Sequence, residues 1–120
     1  MRKEHDEQVL VVRYLRSASH VFCAIPNGAR TSIRTAVKLK AEGLEKGAPD
    51  ILIFDAPPNE PAFIGTALEM KREKGGHTSD EQKDWHIKLA ARGWKIIIGK
   101  GAVNALNQLA RLGYRVPQGS

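Results

Sequence analysis

Apolar residues recur at helical spacing near the start of the chain. Val9, Val12 and Leu15, with Gln8 and Val11 beside them, predict a helix over 4–17. The unbroken run Val21-Phe22-Cys23-Ala24-Ile25 predicts a strand, closed by the turn signal Pro26-Asn27-Gly28. Thr31 or Ser32 can cap a second helix that reaches Glu42. Its apolar face is Ile33, Ala36, Val37 and Leu39, and Gly43 is its stop.

Gly47-Ala48-Pro49 leads into a strand over Asp50–Phe54, and the Pro-rich stretch Asp55–Pro61 reads as a loop. A further strand lies within Phe63–Lys71, with a possible bend at Gly65. After the glycine-rich connection Gly75-Gly76-His77-Thr78, the sequence Ser79-Asp80-Glu81-Gln82 has the form of a capping box and opens a helix to about Arg92. Trp94–Ile98 predicts a strand, Gly99-Lys100-Gly101 a turn, and Ala102–Leu112 a last helix, leaving 116–120 as a tail after a single domain over 1–115.

The predicted order, α-β-α-β-β-α-β-α, implies an α/β fold: a mixed β-sheet flanked by helices on both faces. The strands carrying Asp50 and Glu69 are joined by a short loop and should pair antiparallel. The strands carrying Glu69 and Trp94 are joined by a helix and should be parallel, with a right-handed crossover.

Length and composition narrow the class. A chain of 120 residues, 42% hydrophobic and 27% charged, suits one soluble globular domain. No apolar run approaches the roughly 20 residues of a membrane-spanning helix, and the polar N-terminus does not resemble a signal peptide, so no membrane partner is expected. The single Cys23 is expected to be a buried small hydrophobe. With one cysteine no intrachain disulfide is possible, and a cytoplasmic setting, bacterial or in a phage-infected cell, is the natural expectation. The net charge of +6 fits a polyanionic partner such as nucleic acid.

The chemistry concentrates in two fragments, Pro49-Asp50 and, nineteen residues on, Glu69-Met70-Lys71. Carboxylates on neighbouring strands can hold a divalent metal against a scissile phosphate. Mg²⁺ takes hard oxygen ligands, and the Met70 carbonyl offers a third beside Asp50 and Glu69. Strand alternation puts Lys71 on the same face as Glu69, where its ammonium can stabilise developing negative charge or activate a water. Taken singly, each fragment is also what an ordinary charged strand would carry.

Gly47-Ala48-Pro49-Asp50-Ile51 followed by Leu68-Glu69-Met70-Lys71 resembles the PD-(D/E)xK nuclease signature. More narrowly, the chain resembles the virus-type replication-repair nuclease (VRR-Nuc) domain, from about Glu4 to Leu109. Ile25-Pro26-Asn27-Gly28 and Lys40-Ala41-Glu42-Gly43 carry that likeness, as do Gly75, Ser79 and Gln82 after Glu69-Met70-Lys71. The resemblance implies a restriction-endonuclease-like core and a Mg²⁺- or Mn²⁺-dependent DNA endonuclease acting in replication, repair or recombination. It also implies a homodimer cutting branched DNA such as a Holliday junction.

The resemblance further places an acid on the first helix. Glu4, four residues before Gln8, matches the family spacing and tracks the stripe of Gln8 and Val12; Glu7, which tracks Val11 and Tyr14, is the alternative. Gln82 is either a phosphate or active-site contact or the support of the Ser79 cap. Asn27 and Gly28 form either a DNA approach or a simple turn. Arg30, Arg34 and Lys38, spaced by four, could follow phosphates or form a solvated basic face.

His5, His20, His77 and His86 show no metal-ligand pairing, and Trp85 and Trp94 read as core. No phosphate-cradling glycine loop is present, so no nucleotide cofactor is expected. Two other functions remain in view: a catalytically silent DNA-binding module of the same fold, and a sequence-specific restriction-type endonuclease. The second would need added segments to reach base edges.

Overall fold

The computed structural model describes residues 4–26 and 32–116. Its element order is α1 (Glu4–Ser17), β1 (Phe22–Ala24), α2 (Ile33–Ala41), β2 (Ile51–Ile53), β3 (Gly65–Lys71), α3 (Asp80–Ala90), β4 (Trp94–Lys100) and α4 (Ala102–Arg111). The four strands form one mixed sheet in the order β1-β2-β3-β4. As the connections require, β2 pairs antiparallel with β3, and β3 pairs parallel with β4 across the α3 crossover. No helix among the described residues is long and apolar enough to cross a membrane.

The core lies on one face of the sheet. Ile51 and Ile53 of β2 and Leu68 and Met70 of β3 share that face by strand alternation. They are buried with Val11 and Leu15 of α1 and Ala105, Leu106 and Leu109 of α4. The opposite set, Ala67, Glu69 and Lys71, faces the other way. Every residue of β3 is buried, so the central strand is covered on both sides, and charged groups on its second face sit out of bulk water.

Four expectations from the sequence need correction. First, β4 does not end at Ile98 but continues through Gly99 and Lys100, pairing with Met70 and Lys71. A glycine is needed at 99 because a Cβ there would lie 2.6 Å from the Cβ of Ala105, so α4 packs directly on the backbone. Second, Cys23 is exposed, on β1 at the edge of the sheet. Third, the apolar face of α2 is not buried. Ile33 is 85% exposed and Val37 64%. Fourth, the buried stripe of α1 is Glu7, Val11 and Leu15, whereas Val9 is exposed and Val12 only half-buried.

Beyond α4 the chain keeps contributing to the core. Tyr114 is buried, donates its hydroxyl to the Asp55 carbonyl (2.7 Å) and shares a 2.7 Å hydrogen bond with Thr66 Oγ1. Asp55 in turn accepts the Val21 backbone N–H (3.1 Å), so the loop after β2 is fixed from two sides.

Candidate active site

Pro49 and Asp50 sit at the entrance of β2, next to the end of β3. The register pairs Ile51 with Leu68, so one more step sets Asp50 opposite Glu69 and a second sets Pro49 opposite Met70. Asp50 and Glu69 therefore share the second face of the sheet as a cross-strand pair. Pro49 has no N–H to offer Met70. Instead, the Met70 N–H is taken by the Asp50 side chain (Oδ2, 2.6 Å). One carboxylate oxygen of Asp50 is thus committed to the backbone of the strand that carries Glu69, which fixes the distance between the two acids.

The loop ahead of Asp50 is held by close backbone packing. Gly47 has φ +87°, and a Cβ there would lie 2.7 Å from the Glu81 backbone carbon and 2.9 Å from the Gln82 nitrogen. The Gly-X-Pro-Asp segment therefore crosses the first turn of α3 directly. Only glycine satisfies both the left-handed backbone and the contact.

Gln82 connects the parts. Its Nε2 donates to Glu69 Oε2 at 2.7 Å, while its Oε1 accepts from Lys71 Nζ at 2.8 Å and from the Ser79 N–H at 2.9 Å. Ser79 Oγ accepts from the Gln82 N–H, completing the capping box. Gln82 thus completes the cap that the sequence suggested and also bonds Glu69 and Lys71. The N3 side chain of α3 caps the helix and grips both members of the Glu-X-Lys motif.

The two acids are only partly compatible as a pair of charges. Burial, followed by the charge of Asp50, pushes the Glu69 carboxyl up to about 8. Asp50 is raised as well, chiefly by burial, although the Met70 hydrogen bond opposes this. Glu4 is raised by burial and then by Asp50, with Lys71 and Arg72 acting in the opposite sense. This places Glu4 within the electrostatic reach of Asp50, Lys71 and Arg72.

Glu7 points elsewhere. It is buried, and its Oε2 accepts the backbone N–H of Ala102 at the start of α4. Gln8, one turn after Glu4, lines a groove of about 650 Å³ together with Val9, Val12, Arg13, Arg16 and Asp50. Arg34 and Lys38 lie one turn apart on the exposed α2. Asn27, Gly28 and Arg30 lie outside the described residues.

Three side chains near the site were missed in the sequence. Arg13 and Arg16 line the same groove as Asp50; their spacing of three on α1 was the available signal. His86 lies one helical turn after Gln82, with Nε2 3.6 Å from Glu69 Oε1. Burial, then the charge of Lys71, lowers its basicity. A search for paired histidines passes over it, because its neighbour is a carboxylate on a different element.

The donor set suits a hard cation that brings much of its own coordination shell. Among the described residues, no three His, Cys, Asp or Glu side chains stand close enough to form a ready-made cation site. Two adjacent carboxyls are nevertheless held on one face, and the buried Glu69 Oε1 has no hydrogen-bond partner. Mg²⁺-type sites commonly use one or two carboxylates, with waters and substrate phosphate completing the shell.

The family model of the VRR-NUC domain matches residues 2–102. The chain belongs to the VRR-NUC domain family. It is therefore a nuclease-type domain, of a family in which divalent metal use is general. A solved structure described as a VRR_NUC domain protein has the same fold, with a TM-score of 0.73 at 20% identity, covering 93% of this chain and 88% of that one. A comparison with curated proteins gave no match. The matched span holds Glu4, Asp50, Glu69, Lys71 and Gln82, and it ends at Ala102, whose N–H donates to Glu7.

Proposed function

We propose that this VRR-NUC domain is a divalent-metal-dependent DNA endonuclease of the PD-(D/E)xK type. The observation that carries this reading is the convergence of Asp50, Glu69 and Lys71 on one sheet face, with Glu4 within electrostatic reach. Asp50 and Glu69, supported by the Met70 carbonyl and Glu4, would hold Mg²⁺ or Mn²⁺. When bound, the ion supplies Lewis-acid stabilisation of the phosphate oxygens.

The chain's own groups then have separable tasks. Asp50 and Glu69 are buried acids whose mutual repulsion favours a cation between them. Lys71, held by Gln82 Oε1, keeps its ammonium beside Glu69 (4.0 Å), where it offsets charge developing on the phosphate. Gln82 prevents Lys71 and Glu69 from collapsing onto one another by occupying both.

The groove that Asp50 helps to line supports DNA as the substrate. Arg13 and Arg16 offer phosphate contacts along it, and Val9 and Val12 give it an apolar wall. Arg34 and Lys38 extend the basic surface on α2. Branched DNA and a homodimer complete the proposal. Two cuts related by a two-fold axis need two copies, and the uncovered Ile33 and Val37 of α2 offer an apolar surface for the second.

The test is cleavage of labelled duplex, single-stranded, flap and four-way-junction DNA in Mg²⁺, Mn²⁺ or EDTA, with Asp50→Ala alongside. Metal-dependent cutting that Asp50→Ala abolishes is expected, with paired symmetric nicks on the junction. Cutting that survives EDTA or Asp50→Ala would overturn the site. Binding without cutting in any metal would make the domain a silent DNA-binding module.

A further inference from the structure

Glu69 is nearly enclosed, its side chain 2% exposed. One of its oxygens, Oε2, receives Gln82 Nε2. The other, Oε1, has no hydrogen-bond partner, and neither does His86 Nε2, which faces it at 3.6 Å. Two unsatisfied buried polar atoms are costly, and here they face one another. At 3.6 Å the pair is too long to be a hydrogen bond. A small rotation of the imidazole would close it.

Gln82 and His86 are four residues apart on α3, so both side chains leave the same helix face one turn apart. Gln82 already holds one oxygen of the carboxylate. We propose that His86 is a positioning residue that donates its Nε2–H to Glu69 Oε1 when that carboxylate engages the divalent cation, so that α3 fixes the plane of the carboxylate through both oxygens. The role rests on the reading of Glu69 as a metal ligand.

Such a grip has a physical purpose. A carboxylate held at one oxygen can still swing about its Cγ–Cδ bond. Held at both, it presents its remaining lone pairs in one direction. Hydrogen bonds behind a metal-bound carboxylate are commonly worth 10–100-fold in metal affinity. The neutral imidazole carries one N–H, and the proposal requires the tautomer with that proton on Nε2.

The test uses Mn²⁺ alone, titrated calorimetrically into the full chain without DNA. His86→Ala is expected to weaken Mn²⁺ binding by about 10–100-fold. His86→Gln, whose amide N–H reaches to about the position of Nε2, is expected to restore most of the loss. On cleavage, the same variants should change kcat with little change in KM for DNA. Wild-type Mn²⁺ affinity in His86→Ala would overturn the role, as would equal losses in the Ala and Gln variants. Asp50→Ala separates the two claims. Unchanged Mn²⁺ affinity there removes the metal site and the role of His86 with it. Loss there, with His86→Ala unaffected, overturns the His86 role alone.

Discussion

The Glu7 carboxylate on the first helix accepts the backbone N–H of Ala102, the opening residue of the last helix. Gly101 occupies the N-cap position of α4 and has no side chain to serve as a cap. A long-range glutamate therefore replaces the local Ser, Thr or Asp that usually satisfies a helix start. The contact joins the two helices that enclose the core.

This separates the two candidate acids by their effects. Glu7→Ala should destabilise the fold by about 1–3 kcal/mol, read from urea unfolding, and leave cleavage by the folded fraction within a few-fold of wild type. Glu7→Gln should lose less, because its amide oxygen can still accept from Ala102. Glu4→Ala should do the reverse, with little change in stability and a loss of cleavage of about 10–100-fold. Loss of cleavage in fully folded Glu7→Ala would reverse the assignment.

The acidic cluster makes metal-free stability depend on pH. Glu69 titrates near 4.5 when unfolded and is pushed up to about 8 in the fold. Between those values the folded state keeps a proton that the unfolded chain has released. Stability should therefore be fully present below about pH 4.5 and decline as pH rises toward 8, by about 1.4 kcal/mol per unit from this one group. Asp50 is raised too and contributes with the same sign. A bound divalent cation favours the ionised acids, so saturating Mg²⁺ should flatten the slope and stabilise most at alkaline pH. Asp50→Asn should flatten it without metal. Urea midpoints across this range in EDTA that rise with pH would contradict the coupling.

The topology and the pairing of Asp50 with Glu69 were legible because they follow from connection lengths and from alternation along two strands. What the sequence could not show was how tightly elements approach. Gly99 reads as a turn residue, yet it sits in a strand because Ala105 rests on it. Cys23 and Val37 read as buried, because apolar patterning marks a face without saying what covers it. Glu7 and Glu4 fit the helical period almost equally. Only the position of α4 decides which one turns inward. His86 was unreadable for the same reason: its significance lies in a distance to another element.

Gly47 offers a test of how the acid loop is placed. Gly47→Ala adds a Cβ against the first turn of α3 in a left-handed backbone position. The backbone strain alone is about 1–3 kcal/mol, and the loop must also move away from Gln82. Because Asp50 is three residues on, cleavage should fall more than global stability does. Full cleavage by a destabilised Gly47→Ala would show that Asp50 keeps its position independently of this contact.

The double role of Gln82 can be separated from the cap it completes. Ser79→Ala removes the side chain that accepts the Gln82 N–H but leaves Gln82 Nε2 on Glu69 and Oε1 near Lys71. It should cost about 0.5–2 kcal/mol in stability with cleavage nearly intact. Gln82→Ala should lose similar stability and also let Lys71 close onto Glu69 as a direct ion pair, reducing kcat well beyond the effect of Ser79→Ala. Gln82→Glu is the sharper variant. It can still accept from Lys71 and the Ser79 N–H, but it brings a carboxylate oxygen against Glu69 Oε2 where an N–H had been. Its helix should remain capped while the Glu69 carboxyl is pushed further up, so its cleavage should need higher pH or more Mn²⁺ than wild type. Equal cleavage by Gln82→Glu and wild type across pH would mean that Gln82 serves the helix alone.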